Sequence, residues 1–319
     1  MSTTIFRLNH RASAVAAAMT ADPDGIKIAA RVDELGATIV DCGVAARGGL
    51  AAGLQLARVC LAGLGEVRLQ SGGLTGARVV VSTDQPVAAC MGSQYAGWQI
   101  APAAANGYFA MGSGPMRAAA GKEPLIAEIG CAESPDQVVG VLESGKLPPA
   151  AVTEYIASAC GVPADQVTLL VAPTASLAGA IQVVARSVET ALHKLHELGF
   201  DLTQIQSGFG AAPLPPVAKD DLQGIGWTND AVLYGAEVTL WVDADDDAIA
   251  EIGPRIPSCA SPDYGSPFGE IFRRYNGDFY KIDPNLFSPA LIHIQNLRSS
   301  RRQTFGQRDE ALLRQSFGL

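Results

Sequence analysis

The stretch VTLLVAPTASLAGAIQVVARSVETALHKLHELG, residues 167–199, decides the fold class because an apolar strand runs directly into a long helix. Its first ten residues are rich in Val and Leu and end in a turn, which predicts a buried strand over 167–176. From Leu177 to Leu195, apolar residues recur every three or four positions, which predicts one amphipathic helix over 177–199. Gly199 marks its end, since glycine readily adopts the left-handed conformation that closes a helix.

The flanking segments repeat this alternation of strand and helix. Helices are predicted over 8–20, 48–63 and 149–161, and strands over 26–32, 37–44, 77–84 and 138–144. Residues 231–244 are predicted to form a strand or a strand pair broken at Gly235, and the tail 268–294 one or two short strands. The alternation predicts a mixed α/β or α+β protein. The GKLPP segment, 145–149, is the favoured boundary between an N-terminal α/β lobe (1–147) and a C-terminal α/β lobe (148–319), and the chain can cross between the lobes.

Composition excludes several classes of function. The 319 residues are 48% hydrophobic and 17% charged, so the chain can bury a sizeable core, and its net charge of −9 argues against binding to nucleic acid. No run of about 18 apolar residues predicts a membrane span, and no export signal is recognised. The six cysteines are scattered without a CxxC pair, so we expect free, mostly buried thiols and a cytoplasmic protein.

The predicted long helix contains the clearest chemical candidate, Arg186 with Glu189. Side chains three residues apart on a helix can touch, and in a cleft a guanidinium would keep the carboxylate ionised and oriented. Such a carboxylate can accept a proton from water. From spacing alone, a surface ion pair on a solvated helix face is the favoured interpretation, because such pairs are common and contribute little to stability.

Two segments resemble metal sites without matching one. In HKLHE, 193–197, the histidines are three residues apart, whereas the zinc-binding HExxH helix needs a spacing of four. The acidic run DADDD, 243–247, follows a predicted strand and is more typical of a solvated turn than of a cation site. We therefore expect no metal.

Glycine-rich segments give weaker signals. In MGSGPMRAAA, residues Gly112, Ser113 and Gly114 precede a predicted helix and can form a nest of backbone N–H groups for a polar ligand, or a plain helix cap with Pro115 in the first turn. TND, 228–230, predicts a turn or cap, with a ligand contact by Asn229 as the alternative. No Walker, GxGxxG or GxSxG motif is present.

Several strings, taken in order, resemble one family, the methenyltetrahydromethanopterin cyclohydrolases. The resemblance rests on the ordered set, from about residue 90 to the C-terminus, since no single string is diagnostic. The strings are GSQYAGWQ (92–99), MGSGPMRA (111–118), QVVARSVETALHKL (182–195), APLPPVAKDD (212–221), GWTNDAVLYGAEVTLWV (226–242), SPFGEIFRRYNGDFYKIDPNLFSPA (266–290) and TFGQRDEALLRQSF (304–317).

The resemblance implies an activity and an architecture. Members of the family reversibly hydrolyse the methenyl bridge of a tetrahydromethanopterin derivative to the N5-formyl form, with no metal or permanently bound cofactor. The implied fold has two α/β lobes with a large substrate pocket between them, usually in a homotrimer. In bacteria the reaction belongs to formaldehyde oxidation in one-carbon metabolism.

The resemblance also assigns residues. The arginine and glutamate of the family's long-helix motif match Arg186 and Glu189, which become the expected catalytic pair. Gln94 and Tyr95 are expected to contact the pterin by polar or stacking interactions. The remaining expected contacts are Gly112, Ser113, Gly114 and Asn229. Two other functions stay open: a cyclohydrolase acting on methenyl-tetrahydrofolate, and a non-catalytic pterin-binding protein.

Overall fold

The computed structural model describes residues 6–277 and 281–319 of the chain. Residues 278–280, which belong to one of the strings quoted above, lie outside the described part. The chain forms two compact units, one comprising Met1–Gly65 and Ala88–Gln182, the other Glu66–Val87 and Val183–Leu319. Each unit contains its own six-stranded sheet and its own helices, which confirms the predicted mixed α/β class.

The strands and helices are numbered along the chain. The strands are β1 Ala29–Val32, β2 Thr38–Asp41, β3 Glu66–Ser71, β4 Ala77–Thr83, β5 Trp98–Ile100, β6 Ala110–Ser113, β7 Val138–Glu143, β8 Val167–Ala172, β9 Ile205–Pro213, β10 Glu237–Val242, β11 Leu291–Asn296 and β12 Arg302–Gly306. The α-helices are α1 Leu8–Ala21, α2 Pro23–Ile26, α3 Leu50–Cys60, α4 Met116–Ala120, α5 Pro124–Glu128, α6 Ala150–Cys160, α7 Leu177–Val184, α8 Ser187–Glu197, α9 Asp221–Leu233, α10 Asp246–Ile252, α11 Phe268–Arg274 and α12 Glu310–Phe317. A π-helix spans Val87–Gln94, and short 3₁₀ turns occupy Ala103–Ala105, Ala164–Gln166, Leu202–Gln204, Gly253–Arg255, Ser258–Ala260 and Pro284–Leu286.

The sheet of the first unit has the order β1-β2-β8-β7-β6-β5. Its centre is parallel, since β8 pairs with β2 on one side and with β7 on the other. Helices α1 and α3 pack on one face and α6 on the other, which buries alternate residues of β7 and β8 in two separate cores. Burial on both faces explains why the sequence of β8, VTLLVA, is almost entirely apolar.

The sheet of the second unit has the order β12-β11-β10-β9-β4-β3 and is mostly antiparallel, with one parallel pair between β10 and β11. Helix α8 packs against one face of β9, at Gly208 and Gly210. On the opposite face of this sheet the side chains are half-buried; they include Phe209 of β9 and Trp241 of β10. The alternating pattern of β10 is typical of a strand with one buried and one open face.

The division into units differs from the boundary that the sequence favoured. Residues 148–182 belong to the first unit, because β8 lies between β2 and β7 of its sheet. Residues 66–87 belong to the second unit, where β3 and β4 extend the sheet next to β9. The chain therefore crosses between units three times, and pairing partners distant in sequence decide which unit a segment joins.

Two predicted elements need correction. The helix predicted over 177–199 is two helices, α7 and α8, separated at Ala185 and Arg186. Residues 231–233, predicted as strand, form the end of helix α9, and only Glu237–Val242 is strand. Elsewhere the expected end at Gly199 is confirmed, since it adopts φ +79° and its N–H donates to the carbonyl of His196. Among the described residues, no helix combines the length and the apolar character needed to cross a membrane.

Candidate active site

The break between α7 and α8 places Arg186 at the start of a new helix. Its N–H donates to the carbonyl of Val183 at 3.0 Å, and its carbonyl accepts from the N–H and the hydroxyl of Thr190, both at 2.8 Å. Arg186 is the residue that precedes the first full turn of α8, and Glu189 is the third residue of that turn. A helix start favours a carboxylate because backbone N–H groups there give a partial positive charge.

Both members of the predicted pair are buried in the second unit. Arg186 is 9% exposed and Glu189 is 5% exposed, and their spacing of three places them on one side of the first turn. Burial rules out the solvated surface pair that spacing alone favoured. A carboxylate in such surroundings feels neighbouring charges strongly, because little water screens it.

Two glycines of β9 allow the start of α8 to lie close to the sheet. A Cβ atom at Gly210 would come within 2.4 Å of Ser187 Oγ, and one at Gly208 within 2.6 Å of Val188 Cγ1. Any larger residue would therefore push the first turn of α8 away from β9. The position of Glu189 depends on this close approach.

The other end of α8 is held by a buried lysine. Lys194 is 1% exposed, and its ammonium donates to the carbonyl of Asn285 at 3.0 Å and to Asn285 Oδ1 at 2.6 Å. Burial lowers the pKa of Lys194 to about 8, although the charge of Asp283 opposes this shift. Within the segment 193–197, Lys194 is therefore a buried anchor and not a solvated side chain.

The first unit contains the other group of predicted residues, at the end of the π-helix Val87–Gln94. The N–H of Tyr95 donates to the carbonyl of Cys90 at 2.8 Å, which is the i to i−5 bond that defines this rare helix. Gln94 is fully buried and Tyr95 is half-buried. Such helices occur preferentially at functional sites, which agrees with the role expected for these two residues.

The glycine segment 112–114 lies beside this π-helix. Gly112 and Ser113 belong to β6, and the N–H of Gly114 donates to the carbonyl of Ser93 at 2.9 Å. Ser113 Oγ lies 3.7 Å from the thiol of Cys60. The structure thus brings residues 112–114 together with residues 93–95, and the Gly114 N–H has a partner within the chain.

Asn229 lies on α9 of the second unit, in a helix rather than the expected turn. Its side-chain amide donates to the carbonyl of Ile225 at 2.8 Å. Its neighbour Asp230 is 1% exposed and accepts hydrogen bonds from the N–H of Phe268 and the hydroxyl of Ser316. Burial raises the pKa of Asp230 to about 7, because these two donors compensate the charge only in part.

The side chains of the acidic run 243–247 serve structural purposes. In the acidic run, Asp245 caps helix α10, Asp243 pairs with Arg298 at 2.8 Å, and Asp246 accepts from Asn296 at 2.7 Å. Within 6–277 and 281–319, no group of three or more His, Cys, Asp or Glu side chains is arranged to hold a metal ion.

Sequence reasoning missed two buried cations, Lys194 and Arg117. Arg117 is 1% exposed in α4, next to the π-helix, and forms a two-point ion pair with Glu123. Both residues lie in quoted strings. For Arg117, a lone cation among Ala, Gly and Met is a signal that points to burial, whereas Lys194 lies between histidines and Glu197 and has no such local signal. Long charged side chains are almost never fully buried unless they are paired.

Comparisons with known proteins agree with the resemblance found in the ordered motifs. A sequence model described as Cyclohydrolase (MCH) matches residues 7–317. A protein named methenyltetrahydromethanopterin cyclohydrolase from Rhodopirellula baltica is 51% identical over 292 residues, covering 89% of this chain and 87% of its own. Proteins of the same name from Methylobacterium sp. strain 4-46 and Methanococcoides burtonii are 45% and 41% identical, and the matches cover at least 98% of each chain.

Proposed function

Because the chain belongs to the cyclohydrolase (MCH) family, we propose that it adds water to 5,10-methenyl-tetrahydromethanopterin and forms the 5-formyl derivative, reversibly. The observation that carries the proposal is the burial of Arg186 and Glu189 on the first turn of α8 in a chain with such relatives. A buried, ionised carboxylate can act as the general base that removes a proton from water.

Glu189 is the general base in this proposal. The methenyl carbon, between N5 and N10, belongs to a delocalised amidinium cation and is already an electrophile. The oxygen of a water molecule bonds to this carbon while Glu189 takes one of the water protons, giving a carbinolamine. The carbon–N10 bond then breaks, N10 gains a proton, and the hydroxyl loses its proton as the formyl C=O forms. One proton leaves overall, and protonated Glu189 is the donor to N10.

Arg186 is assigned to orienting Glu189. It has the same charge sign as the amidinium, so direct contact with the cation is unfavourable. Its guanidinium instead stabilises the ionised carboxylate and can donate to a pterin carbonyl. The reaction needs no Lewis acid for activation because the substrate carbon is electron-poor, so we propose that no prosthetic group is required.

Three of the predicted substrate contacts, Gln94, Tyr95 and Asn229, remain contacts in the proposal. Gln94 and Tyr95, at the end of the π-helix, are assigned to a polar and a stacking contact with the pterin. The segment 112–114 is assigned mainly to supporting them, because the Gly114 N–H already donates to Ser93. Asn229 is assigned to accept a hydrogen bond from the pterin through Oδ1, because its Nδ2 group already donates to the carbonyl of Ile225.

We propose a cytoplasmic homotrimer. All six cysteines are free thiols, as expected in a reducing compartment. The sheet face opposite α8 presents half-buried Phe209 and Trp241, aromatic residues of the kind that subunit interfaces favour. Light scattering should give three times the chain mass of 33.1 kDa, and a single-chain mass would refute the trimer.

The experiment is turnover of the two possible methenyl cofactors. Purified protein should bleach the methenyl absorbance of the tetrahydromethanopterin substrate and act far more slowly on methenyl-tetrahydrofolate. The reverse preference would show a folate enzyme. Binding of the pterin without bleaching would show a non-catalytic pterin-binding protein. Activity on the first substrate places the chain in pterin-linked one-carbon metabolism, for which we propose formaldehyde oxidation.

A further inference from the structure

We infer that the Arg117–Glu123 ion pair positions Gln94 and Tyr95, and that its neutrality as a pair allows this segment to accept a cationic substrate. The inference rests on the proposed function, in which these two residues contact a pterin that carries one positive charge. Arg117 and Glu123 act through their neighbours, so they are positioning residues rather than catalytic ones.

Arg117 and Glu123 contact each other through two hydrogen bonds. Arg117 Nε donates to Glu123 Oε1 at 2.7 Å and Arg117 Nη2 donates to Glu123 Oε2 at 2.5 Å, a two-point contact that fixes both side chains. The Arg117 side chain is completely shielded from solvent and that of Glu123 is 17% exposed. Two-point contacts between guanidinium and carboxylate are among the strongest in proteins, and burial removes most of the screening.

The remaining side of the guanidinium holds the end of the π-helix. Arg117 Nη1 donates to the carbonyl of Met91 at 3.1 Å and to that of Ser93 at 3.4 Å. Its Cζ atom lies 4.9 Å from the centre of the Tyr95 ring, a cation–π distance. The Arg117 side chain therefore contacts the backbone on both sides of Gly92 and the ring of Tyr95. These contacts fix the position of Gln94, which lies between Ser93 and Tyr95.

Gly97 completes this arrangement. A Cβ atom at Gly97 would lie 2.3 Å from Glu123 Oε2 and 2.6 Å from Tyr95 Cε1. Tyr95 and Glu123 thus close around a residue that has no side chain. The aromatic ring and the carboxylate are held in one compact cluster with Arg117.

Charge explains why a carboxylate belongs in this cluster. An unpaired guanidinium beside Tyr95 would repel an amidinium stacked or hydrogen-bonded nearby. With Glu123 in place, the cluster keeps the directional donors of Arg117 while its net charge is zero. The product is the neutral formyl form, so an uncompensated charge would weaken binding of the methenyl form and affect the formyl form much less.

The test compares KM for the two forms, measured in the hydrolytic and the reverse direction. In Glu123→Gln, KM for the methenyl form should rise about tenfold relative to KM for the formyl form, because the charge of Arg117 is then uncompensated near a cationic substrate. The kcat should change by less than about threefold, because Glu189 is untouched. Added salt should reduce the difference.

Three further variants make the result decisive. Glu123→Asp keeps the charge and should keep the wild-type KM ratio even if stability falls. Arg117→Met leaves a lone carboxylate and should shift the ratio in the opposite direction, so it serves if Glu123→Gln fails to fold. Glu154→Gln, which removes the same charge from an exposed position on α6, should leave the ratio unchanged.

Each outcome separates this inference from the proposed function. Wild-type protein that fails to hydrolyse the methenyl substrate would refute the proposed function. Wild-type turnover together with an unchanged KM ratio in Glu123→Gln, or in Arg117→Met if only that variant folds, would refute the role of the ion pair alone. An equal change in Glu123→Asp would show a packing role without charge selection.

Discussion

The first and last turns of helix α8 contain similar residues in opposite surroundings. At the start of the helix, Arg186, which caps the first turn, is 9% exposed, and Glu189 within that turn is 5% exposed. In the last turn, His193 Nε2 lies 4.0 Å from Glu197 Oε1, and the Glu197 side chain is 47% exposed. Solvated pairs of this kind contribute only about 0.3–0.5 kcal/mol. Two pairs of ionisable residues on one helix therefore have different consequences: the buried pair can take part in chemistry, the solvated pair contributes little, and burial makes the difference.

The largest expected effect is the loss of the buried carboxylate. Glu189→Gln keeps the size and removes the base, so kcat should fall by roughly 10²–10⁴, the usual contribution of a general base. Steady-state bleaching of the methenyl absorbance measures it. Glu197→Gln is the matched control on the same helix and should stay within about twofold of wild type. An equal fall of kcat in Glu189→Gln and Glu197→Gln would contradict the different roles proposed for the two ends of α8.

Arg186 should show the next largest effect. Arg186→Gln removes the guanidinium that is proposed to orient Glu189, and kcat should fall about 100-fold. Arg186→Lys should recover only part of the rate, because an ammonium cannot reproduce the guanidinium fork. Arg314→Gln, an exposed change on α12, is the control. Full activity of Arg186→Gln would show that Glu189 needs no guanidinium partner.

Changing the sheet under α8 should disturb the first turn indirectly. Gly210→Ala introduces a Cβ that overlaps Ser187 Oγ, so stability should fall by about 1–3 kcal/mol and kcat should fall with it. Urea unfolding and kcat measure the two effects. Gly269→Ala in α11, where nothing lies within 4 Å of the added atom, should be neutral or slightly stabilising. An unchanged kcat in Gly210→Ala would show that activity does not depend on how closely the first turn of α8 lies against β9.

The smallest expected effect is a pH-dependent change in stability at Lys194. The folded-state pKa is about 8 against an ordinary 10.5, so between these values the unfolded chain holds the proton more tightly. Wild-type stability should therefore rise with pH across that window, by about 2 kcal/mol relative to Lys194→Met. Urea midpoints at pH 7.5 and 9.5 measure it, with exposed Lys219→Met as control. A parallel pH dependence in wild type and Lys194→Met would contradict the shift.

The sequence predicts the class of fold because its local signals are strong. Apolar runs such as VTLLVA and glycine ends such as Gly199 identify strands and helix ends without any knowledge of their partners. The break at Ala185 and Arg186 is different, because both residues have good helix propensity and nothing local interrupts the pattern. The break falls just after Gln182, where the chain passes from the first unit to the second. Tertiary structure, and not propensity, ends α7 there.

The candidate site could likewise be predicted only in part, because local spacing gives neighbours on a helix but not their burial. Spacing placed Arg186 and Glu189 on one side of a helix, but it favoured a solvated surface. Which face of a helix is buried depends on glycines in a distant strand, such as Gly210, whose role no local pattern reveals. The burial of Arg117 and Lys194 could not be predicted for a related reason. Their hydrogen-bond partners, Glu123 and Asn285, reach them only in the folded chain.

The most direct test of the central claim is chemical rescue of the missing carboxylate. Glu189→Ala should bind the methenyl substrate but hydrolyse it at least about 100-fold more slowly than wild type. Added formate, a small carboxylate that fits the vacated space, should raise this rate in a saturable manner. Glu197→Ala should need no rescue. A Glu189→Ala variant that hydrolyses the substrate at the wild-type rate without formate would contradict the account.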